Sequence, residues 1–254
     1  MSDSSREVFD NYERHYATTG ARNFRSLQDV QRFRLDRLPR WIGEVAKQAH
    51  ILDAGCASGY LLGLLHDSGY TRLTGVDLSA QLLSKARQNL PNEVALHQSD
   101  VLTFLTGTPD ASFDVILFHH VLEHIPREHT IALLREFRRC LSEGGVLNIK
   151  VPNAGCLLMG HTCFGDFTHV VHFNEVSLVQ VLEQAGFDRR QVRFVLHPPM
   201  LFWSWQHPLR AVFRVLNRLR WHLSAWMHRA AGVIFDTQPK LRCHEIELEV
   251  VAKK

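Results

Sequence analysis

The feature that most constrains the fold is a short stretch in which an apolar run reaches an acid and then breaks into small residues. Residues 50–60 read HILDAGCASGY, and a cluster of leucines follows at once in a helical pattern. A strand, a tight glycine turn and a helix, in that order, present backbone N–H groups and a positive helix end to a ligand. Gly55 and Gly59 permit positive φ angles and a close approach to the backbone. The stretch therefore predicts a ligand-binding turn of an α/β fold.

Strands and helices continue to alternate along the chain. Further strands are expected at residues 73–77, 94–96, 113–118, 146–151, 192–196 and 245–251, with helices between most of them. This alternation is typical of a largely parallel sheet that is covered by helices on both faces. We therefore predict a seven-stranded mixed sheet, with a helical insertion before the last strand.

Composition narrows the functional classes. The 254 residues are 45% apolar, which is enough for one large domain or for a domain with an appendage. The first residues are polar, and no run of about 18 apolar residues occurs, so neither a signal peptide nor a spanning helix is expected. The five cysteines are scattered and odd in number. They favour a reducing, cytoplasmic location.

A second acid makes the glycine turn more specific. Asp77 ends the second predicted strand, 22 residues after Gly55 (77 − 55), where an acid can bind both hydroxyls of a ribose. A nicotinamide fingerprint needs glycine at the positions that Ala57 and Tyr60 occupy. The spacing is instead D-x-G-x-A-x-G, which begins at Asp53. It suits a cationic nucleoside that carries an amino acid, because its ammonium group can meet the acid.

Residues 50–197 resemble the class I S-adenosylmethionine-dependent methyltransferases, because five motifs occur in the family's order. They are residues 52–59, 76–79, 99–101, 113–124 and 141–145. The resemblance implies a Rossmann-like fold and S-adenosyl-L-methionine as the cofactor. It also implies a set of cofactor-binding residues: Asp53, Gly55, Cys56, Ala57, Gly59, Asp77, Leu78, Asp100, Val101, His119 and Tyr16.

The resemblance assigns roles to several of these residues. Asp77 would bind the ribose, Asp100 would lie near the adenine amino group, and Val101 would lie on the ring. His119 would face the methionine end of the cofactor. Tyr16 belongs to an N-terminal segment that either folds over the cofactor or only packs against the domain. Ala57 replaces the family's usual glycine, and we expect tighter packing there rather than loss of binding.

Methyl transfer from a sulfonium is a single in-line displacement, so the protein must exclude water, align the nucleophile and, for a hydroxyl, help to remove its proton. Methyltransferases that act on saccharides and small hydroxylated substrates, which this chain resembles, often carry an Asp-x-Thr-His element after the fifth strand. Here the element is Asp166 to His169. We predict His169 as the base or orienting residue, with Asp166 and His119 as further catalytic residues. The alternative is that Asp166, Thr168 and His169 only order a lid by bonding to one another.

Residues 120–124 also match the pattern H-x-x-E-H, which on a helix lets two histidines share a metal. The quinone-ring O-methyltransferases of ubiquinone synthesis, which this region resembles, carry acids and a histidine in the same loop. His120 replaces one of those acids. The surrounding methyltransferase motifs explain the segment without metalloprotease chemistry, and because His120 replaces that acid we predict no metal ligand.

A basic, tryptophan-rich stretch lies near the C-terminus. Residues 189–235 hold eight arginines and four tryptophans but no aspartate or glutamate. Residues 209–230 have apolar residues at helical spacing opposite a row of arginines, which fits a membrane interface or a phosphate-bearing, lipid-linked substrate. The alternative is packing against the sheet or a homodimer. We predict no nucleic-acid partner, because the sequence shows no recognised RNA-binding module.

Together these features predict a cytoplasmic methyltransferase, in which residues 200–235 serve either membrane contact or packing and dimerisation. Residues 1–48 are expected to form an N-terminal helical lid, 49–197 with 242–254 the catalytic core, and 198–241 the basic insertion. The predicted reaction is methyl transfer to a hydroxyl of a sugar or lipid-linked glycan. The alternatives are a quinone or small-aromatic O-methyltransferase and a non-catalytic scaffold that binds S-adenosylmethionine.

Overall fold

The computed structural model describes residues 38–156, 163–197, 208–234, 245 and 247–254. The chain divides into two compact units. Of the described residues, the first unit contains those up to His119, residues 132–148 and the last two residues, and the second contains those within 120–131 and 149–252. The predicted lid, core and insertion follow other boundaries, and most of the lid lies outside the described residues. That three-part division stays a prediction.

Seven strands form one mixed sheet, which confirms the predicted fold class. They are β1 (His50–Ala54), β2 (Arg72–Asp77), β3 (Ala95–Gln98), β4 (Phe113–His119), β5 (Leu141–Pro152), β6 (Val192–Val195) and β7 (Glu247–Lys253). Their order is β3-β2-β1-β4-β5-β7-β6. β1 pairs in parallel with β2 and β4, β3 pairs in parallel with β2, and β6 and β7 are antiparallel.

Six α-helices accompany these strands in the described ranges: α1 (Tyr60–Asp67), α2 (Ala80–Asn89), α3 (Val101–Thr106), α4 (Arg127–Cys140), α5 (Glu175–Gln184) and α6 (Pro208–Ile234). Local chemistry fixes several of their ends. Ser79 caps α2 by accepting a hydrogen bond from the Leu82 amide, and Asn174 and Ser177 form a capping box at the start of α5. Over the described ranges, no helix combines the length and the apolar character needed to cross a membrane.

The fifth strand begins earlier than predicted. The sequence predicts a turn at residues 142–145 followed by a strand at 146–151, whereas β5 starts at Leu141. Tertiary bonds hold this segment: Ser142 Oγ donates to Asp114 Oδ1, and the Lys254 amide donates to the Gly145 carbonyl. Gly144 keeps a turn-like positive φ of 74° inside the strand. Partners distant in sequence therefore decide where β5 begins.

The core of the first unit holds the glycine turn in place. Ile51 and Leu52 of β1 are fully buried, and Leu62 and Leu65 of α1 belong to the same unit and are also fully buried. Each such side chain contributes about 1.5–3 kcal/mol when it leaves water. A Cβ at Gly75 in β2 would lie 2.7 Å from Leu62 Cδ1 and 2.8 Å from Cys56 Sγ. Residue 75 must therefore be glycine for the turn to pack against the strand.

Candidate cofactor site and acceptor-side cluster

The turn between β1 and α1 uses its own amide groups internally. The Gly55 and Cys56 amides both donate to the Val76 carbonyl, at 2.7 and 3.0 Å, and the Ala57 amide donates to Asp77 Oδ2 at 2.8 Å. These three N–H groups are therefore already hydrogen-bonded within the protein and do not offer donors to a phosphate. The geometry therefore disfavours a pyrophosphate ligand. This agrees with the sequence pattern, which argues against a nicotinamide dinucleotide as the cofactor.

Three turn residues have left-handed backbone conformations: Gly55 (φ 81°), Ala57 (φ 46°) and Gly59 (φ 78°). Glycine adopts this conformation freely, whereas an alanine pays roughly 1–2 kcal/mol. Ala57 is therefore strained, and the Asp77 carboxylate that binds its amide helps to hold it. A Cβ at Gly59 would lie 2.5 Å from Leu90 Cδ1. Position 59 tolerates no side chain, whereas position 57 already carries one.

A buried and a half-buried carboxylate lie near the ends of β1 and β2. Asp53 is 4% exposed, and its pKa is raised to about 7 by burial and by the negative charge of Asp77. Burial also raises the pKa of Asp77, although the amides of Ser79 and Ala57 donate to its carboxylate and stabilise the charged form. A cation that enters beside Asp53 would relieve the repulsion between the two acids. The pair therefore favours a positively charged ligand.

The remaining predicted cofactor residues lie at the ends of the next strands. Leu78 follows β2 and is 42% exposed. Asp100 follows β3 and caps α3, because its Oδ1 accepts from the Thr103 amide at 3.1 Å; Val101, the first residue of α3, is buried. The cap explains Asp100 structurally without assigning it a ligand. Cys56 is buried, and burial and the Asp53 charge raise the pKa of its thiol, so we assign it packing and no nucleophilic role.

His119 is the last residue of β4, and the sequence did not reveal its partner. Its Nε2 lies 2.6 Å from Oδ1 of the buried Asn148 in β5. Because a carboxamide oxygen only accepts, this bond places the imidazole proton on Nε2 and leaves Nδ1 with a lone pair. His119 is thereby oriented at the carboxyl end of its strand. Tyr16 lies outside the described residues.

The second unit contains a polar cluster that we call the Glu–His cluster: Glu123, His124, Asp166, Thr168 and His169. Thr168 links its two segments. The Thr168 hydroxyl donates to Asp166 Oδ1 at 2.6 Å and lies 2.8 Å from His124 Nδ1, which also lies 3.2 Å from the Thr168 carbonyl. His124 therefore donates from Nδ1. Burial lowers the pKa of His124, despite the nearby charge of Glu123.

His169 lies against the other face of this cluster. Its Nδ1 lies 3.0 Å from the Cys163 carbonyl, and its Nε2 lies 3.9 Å from both Glu123 Oε1 and Asp166 Oδ2. The His169 side chain is only 7% exposed, and its ring packs edge-on against that of His124. The predicted Asp166–His169 element thus interacts with itself, as the lid alternative expected. It also meets Glu123 and His124, which the sequence did not connect to it.

The structure does not place H-x-x-E-H on an α-helix. His120 has a positive φ of 56°, and only Leu122–His124 forms a short 3₁₀ turn. Burial alone would lower the pKa of His120, but the Glu123 and Glu247 carboxylates, 3.6 and 3.7 Å away, raise it. The residues that could share a metal are instead Glu123, His124 and His169. One ligand atom from each lies within 4.8 Å of the others.

Comparison with known proteins gives the family. A family model described as a methyltransferase domain matches residues 24–192, more than half of the chain. The chain belongs to this methyltransferase family. Its structure is similar to the crystal structure of an S-adenosylmethionine-dependent methyltransferase from Archaeoglobus fulgidus, with a TM-score of 0.62, 22% identity, and coverage of 90% of this chain and 95% of that one. This likeness confirms the Rossmann-like methyltransferase fold.

Curated relatives match shorter regions. A probable S-adenosylmethionine-dependent methyltransferase of Mycolicibacterium smegmatis is 29% identical over 58% of this chain and 55% of its own length. A trans-aconitate 2-methyltransferase of an Azoarcus species is 38% identical over 41% and 39%. A ubiquinone biosynthesis O-methyltransferase of Glaesserella parasuis is 33% identical over 41% and 45%. The chain thus spans about half, or less, of the relatives it matches.

The family and its relatives identify S-adenosyl-L-methionine as the cofactor, and the residues present fit it. Its ammonium and sulfonium groups are cations, which the buried Asp53 beside the half-buried Asp77 favours. Asp77 ends β2, where an acid can accept bonds from ribose hydroxyls. The amides of Gly55, Cys56 and Ala57 are already bonded within the protein, and this cofactor has no phosphate to bind them.

Proposed function

We propose that the protein transfers a methyl group from S-adenosyl-L-methionine to a hydroxyl oxygen of a non-protein acceptor, with a sugar or lipid-linked glycan as the acceptor class. The observation that carries this proposal is the Glu–His cluster of the second unit. It offers carboxylates and imidazoles that can orient a hydroxyl and ease the removal of its proton. Methyl transfer to a more acidic or already ionised acceptor needs less of this help.

On the donor side, the chain's own residues bind and orient. Asp53 meets the amino-acid end of the cofactor, and Asp77 accepts bonds from the ribose. Leu78 and Val101 provide apolar contact for the base beside Asp100, and His119 presents a fixed imidazole at the end of β4. The bound cofactor supplies an activated methyl group on a sulfonium. No covalent intermediate with the protein is needed, because the transfer is a single displacement.

On the acceptor side, the charge of the cluster discriminates between acceptors. Asp166 and Glu123 place two carboxylates within 3.9 Å of His169 Nε2. While no cation is bound to the cluster, these acids would repel a tricarboxylate such as trans-aconitate, which one relative's name gives as its substrate. A neutral hydroxyl would not be repelled, and it could donate a hydrogen bond to them. The cluster therefore favours a hydroxylated acceptor over a carboxylate.

An aromatic acceptor is the second candidate, supported by the relative named for O-methylation in ubiquinone biosynthesis and by the surface of α6. Its apolar side chains form an exposed row in which Leu219 is 60% and Trp226 65% exposed, with the exposed Arg220 and Arg229 on the same helix. We propose that this row touches an anionic membrane surface, where either a prenylated ring or a lipid-linked sugar would be presented. A second copy of the chain is the competing occupant.

Two measurements test these proposals. Purified protein is incubated with methyl-labelled cofactor and panels of neutral sugars, lipid-linked sugars, quinols and carboxylates, and the labelled products are identified by mass spectrometry. Label on a sugar hydroxyl supports the first proposal, label only on quinols supports the aromatic acceptor instead, and label only on carboxylates refutes both. Binding of the cofactor without transfer to any acceptor would favour the scaffold alternative.

Vesicle flotation tests the surface of α6. The wild-type protein should float with vesicles that contain anionic lipid, and Leu219→Glu combined with Trp226→Glu should abolish this. The matched control is Arg190→Glu, which lies outside α6 at an exposed position and should float normally. Failure of the wild type to float, together with a concentration-dependent dimer in sedimentation that the double variant loses, would assign the row to self-association.

A further inference from the structure

We propose that Glu123, His124 and His169 together bind one divalent metal ion in the second unit. This inference rests on the proposed acceptor role of the Glu–His cluster and deepens it. The three residues come from two segments that are 46 residues apart (169 − 123), and one ligand atom from each lies within 4.8 Å of the other two. Only the folded chain brings them together.

The Glu123 carboxylate is the first reason to expect a cation. The residue is 2% exposed, and across the described residues neither of its side-chain oxygens has a hydrogen-bond partner. Its own carbonyl accepts from the amides of Val170 and Val171, at 2.9 and 3.1 Å, which ties the segment bearing His169 to the residue. A buried, ionised carboxylate that lacks hydrogen bonds is costly unless a positive charge compensates it.

The two imidazoles are arranged as metal ligands usually are. A ligating histidine donates its other ring N–H to a carbonyl or another fixed acceptor, which sets the tautomer and the ring orientation. His169 Nδ1 lies 3.0 Å from the Cys163 carbonyl, which leaves the lone pair on Nε2, the atom 3.9 Å from Glu123 Oε1. His124 Nδ1 lies 3.2 Å from the Thr168 carbonyl and 2.8 Å from the Thr168 hydroxyl, which leaves the lone pair on its Nε2 as well.

The ligand chemistry selects the class of ion. Two imidazole nitrogens and one carboxylate suit Zn²⁺ and its first-row neighbours, whereas Mg²⁺ prefers oxygen ligands throughout. Bonds of about 2.1 Å in a tetrahedral site put ligand atoms about 3.4 Å apart. The present spread of up to 4.8 Å must therefore close by up to about 1.4 Å, which side-chain rotation can supply.

An ion there would serve the proposed reaction directly. A hydroxyl that binds a divalent ion loses its proton at lower pH, so an acceptor alcohol would become a better nucleophile. Asp166 and Thr168 would support the site from outside, because the Thr168 hydroxyl joins the Asp166 carboxylate to the His124 ring. The competing explanation is that a protonated His120, 3.6 Å away, alone compensates Glu123.

Titration with Co²⁺ tests the site, since its visible absorption reports the coordination. Protein freed of metal by a chelator and dialysed should bind one equivalent of Co²⁺, which Zn²⁺ displaces. Glu123→Gln and His169→Gln should each weaken the affinity by about 100-fold or more, and Thr168→Ala, which removes an outer partner, by about 10- to 100-fold. His129→Gln, which changes an exposed histidine of α4, is the matched control and should bind as the wild type does.

Calorimetric titration with S-adenosylmethionine accompanies each variant, because retained cofactor affinity shows that the protein is folded. The metal proposal fails if the wild type shows no saturable Co²⁺ binding, or if the two glutamine variants bind Co²⁺ as the wild type does. It also fails if His120→Gln abolishes Co²⁺ binding while His169→Gln preserves it. Intact methyl transfer in protein that binds no metal would leave the proposed function standing. Stoichiometric metal binding without transfer to any hydroxyl would leave the metal site standing and refute the proposed function.

Discussion

The buried Asp53 carboxylate predicts that cofactor affinity depends on pH in an unusual range. Its pKa is raised to about 7 by burial and by the charge of Asp77. A bound cation stabilises the ionised form, so binding requires the proton to leave. Below pH 7 most of the free protein carries that proton, and the affinity for S-adenosylmethionine must fall as the pH decreases.

The magnitude follows from the ionised fraction. With a pKa of about 7, roughly 3% of Asp53 is ionised at pH 5.5 and roughly 76% at pH 7.5, which makes a change in affinity of about 25-fold. This corresponds to about 2 kcal/mol, since each factor of ten is worth about 1.4 kcal/mol. The range stops at pH 7.5 because an α-amino group begins to lose its own proton at about pH 7.7–8.0.

Isothermal titration calorimetry between pH 5.5 and 7.5 measures this effect. Asp53→Asn should flatten the profile, with an affinity close to that of the wild type at pH 5.5 and well below it at pH 7.5. Asp77→Asn removes the neighbouring charge and should shift the midpoint of the wild-type profile to lower pH. An affinity that stays constant or falls as the pH rises would refute the assignment of Asp53 to the cation. An unchanged slope in Asp53→Asn would refute it equally.

Three further predictions concern the first unit and the cluster. The folded pKa of Asp53, about 7, exceeds its ordinary value of 3.8, so the free protein loses stability as the pH rises from about 4 to 7. About 2–3 kcal/mol of this loss falls between pH 5 and pH 8, and Asp53→Asn should remove it, as measured by chemical denaturation at those two pH values. Gly59→Ala should lower the free energy of unfolding by about 2–4 kcal/mol, because the added Cβ would meet Leu90. Ala57→Gly, in the same turn, should change the free energy of unfolding by less than about 1 kcal/mol. Equal effects of the two substitutions would contradict the packing argument. His169→Gln should lower the rate of methyl transfer at least tenfold while cofactor affinity stays within twofold of the wild type, and unchanged turnover would remove His169 from the reaction.

Local sequence patterns were sufficient for much of the fold. Each strand that carries a short apolar run appears where it was predicted, within a few residues, because burial and the twofold period are local properties. The glycine turn was predictable for the same reason, since Gly55 and Gly59 act through their own backbone and Asp77 through its position at the end of β2. The exception is β5, whose start at Leu141 depends on tertiary bonds to Asp114 and Lys254.

The Glu–His cluster lay beyond sequence reasoning. The H-x-x-E-H pattern suggested a pairing of His120 with His124 along a helix, but the positive φ of His120 breaks that geometry. The residue that meets Glu123 and His124 is His169, from a segment 46 residues away (169 − 123). Nothing in the local pattern encodes that contact. That the Glu123 carboxylate is buried without a hydrogen-bond partner among the described residues follows only from the folded structure.

Transfer of a labelled methyl group to a defined acceptor tests the central claim most directly. Protein, methyl-labelled S-adenosylmethionine and a panel of neutral hydroxylated acceptors are combined, and the site of the label is mapped by tandem mass spectrometry. We predict label on a hydroxyl oxygen with the wild type and none with Asp77→Ala, which loses the cofactor. Label on nitrogen or on a carboxylate would contradict the account, as would undiminished transfer by Asp77→Ala.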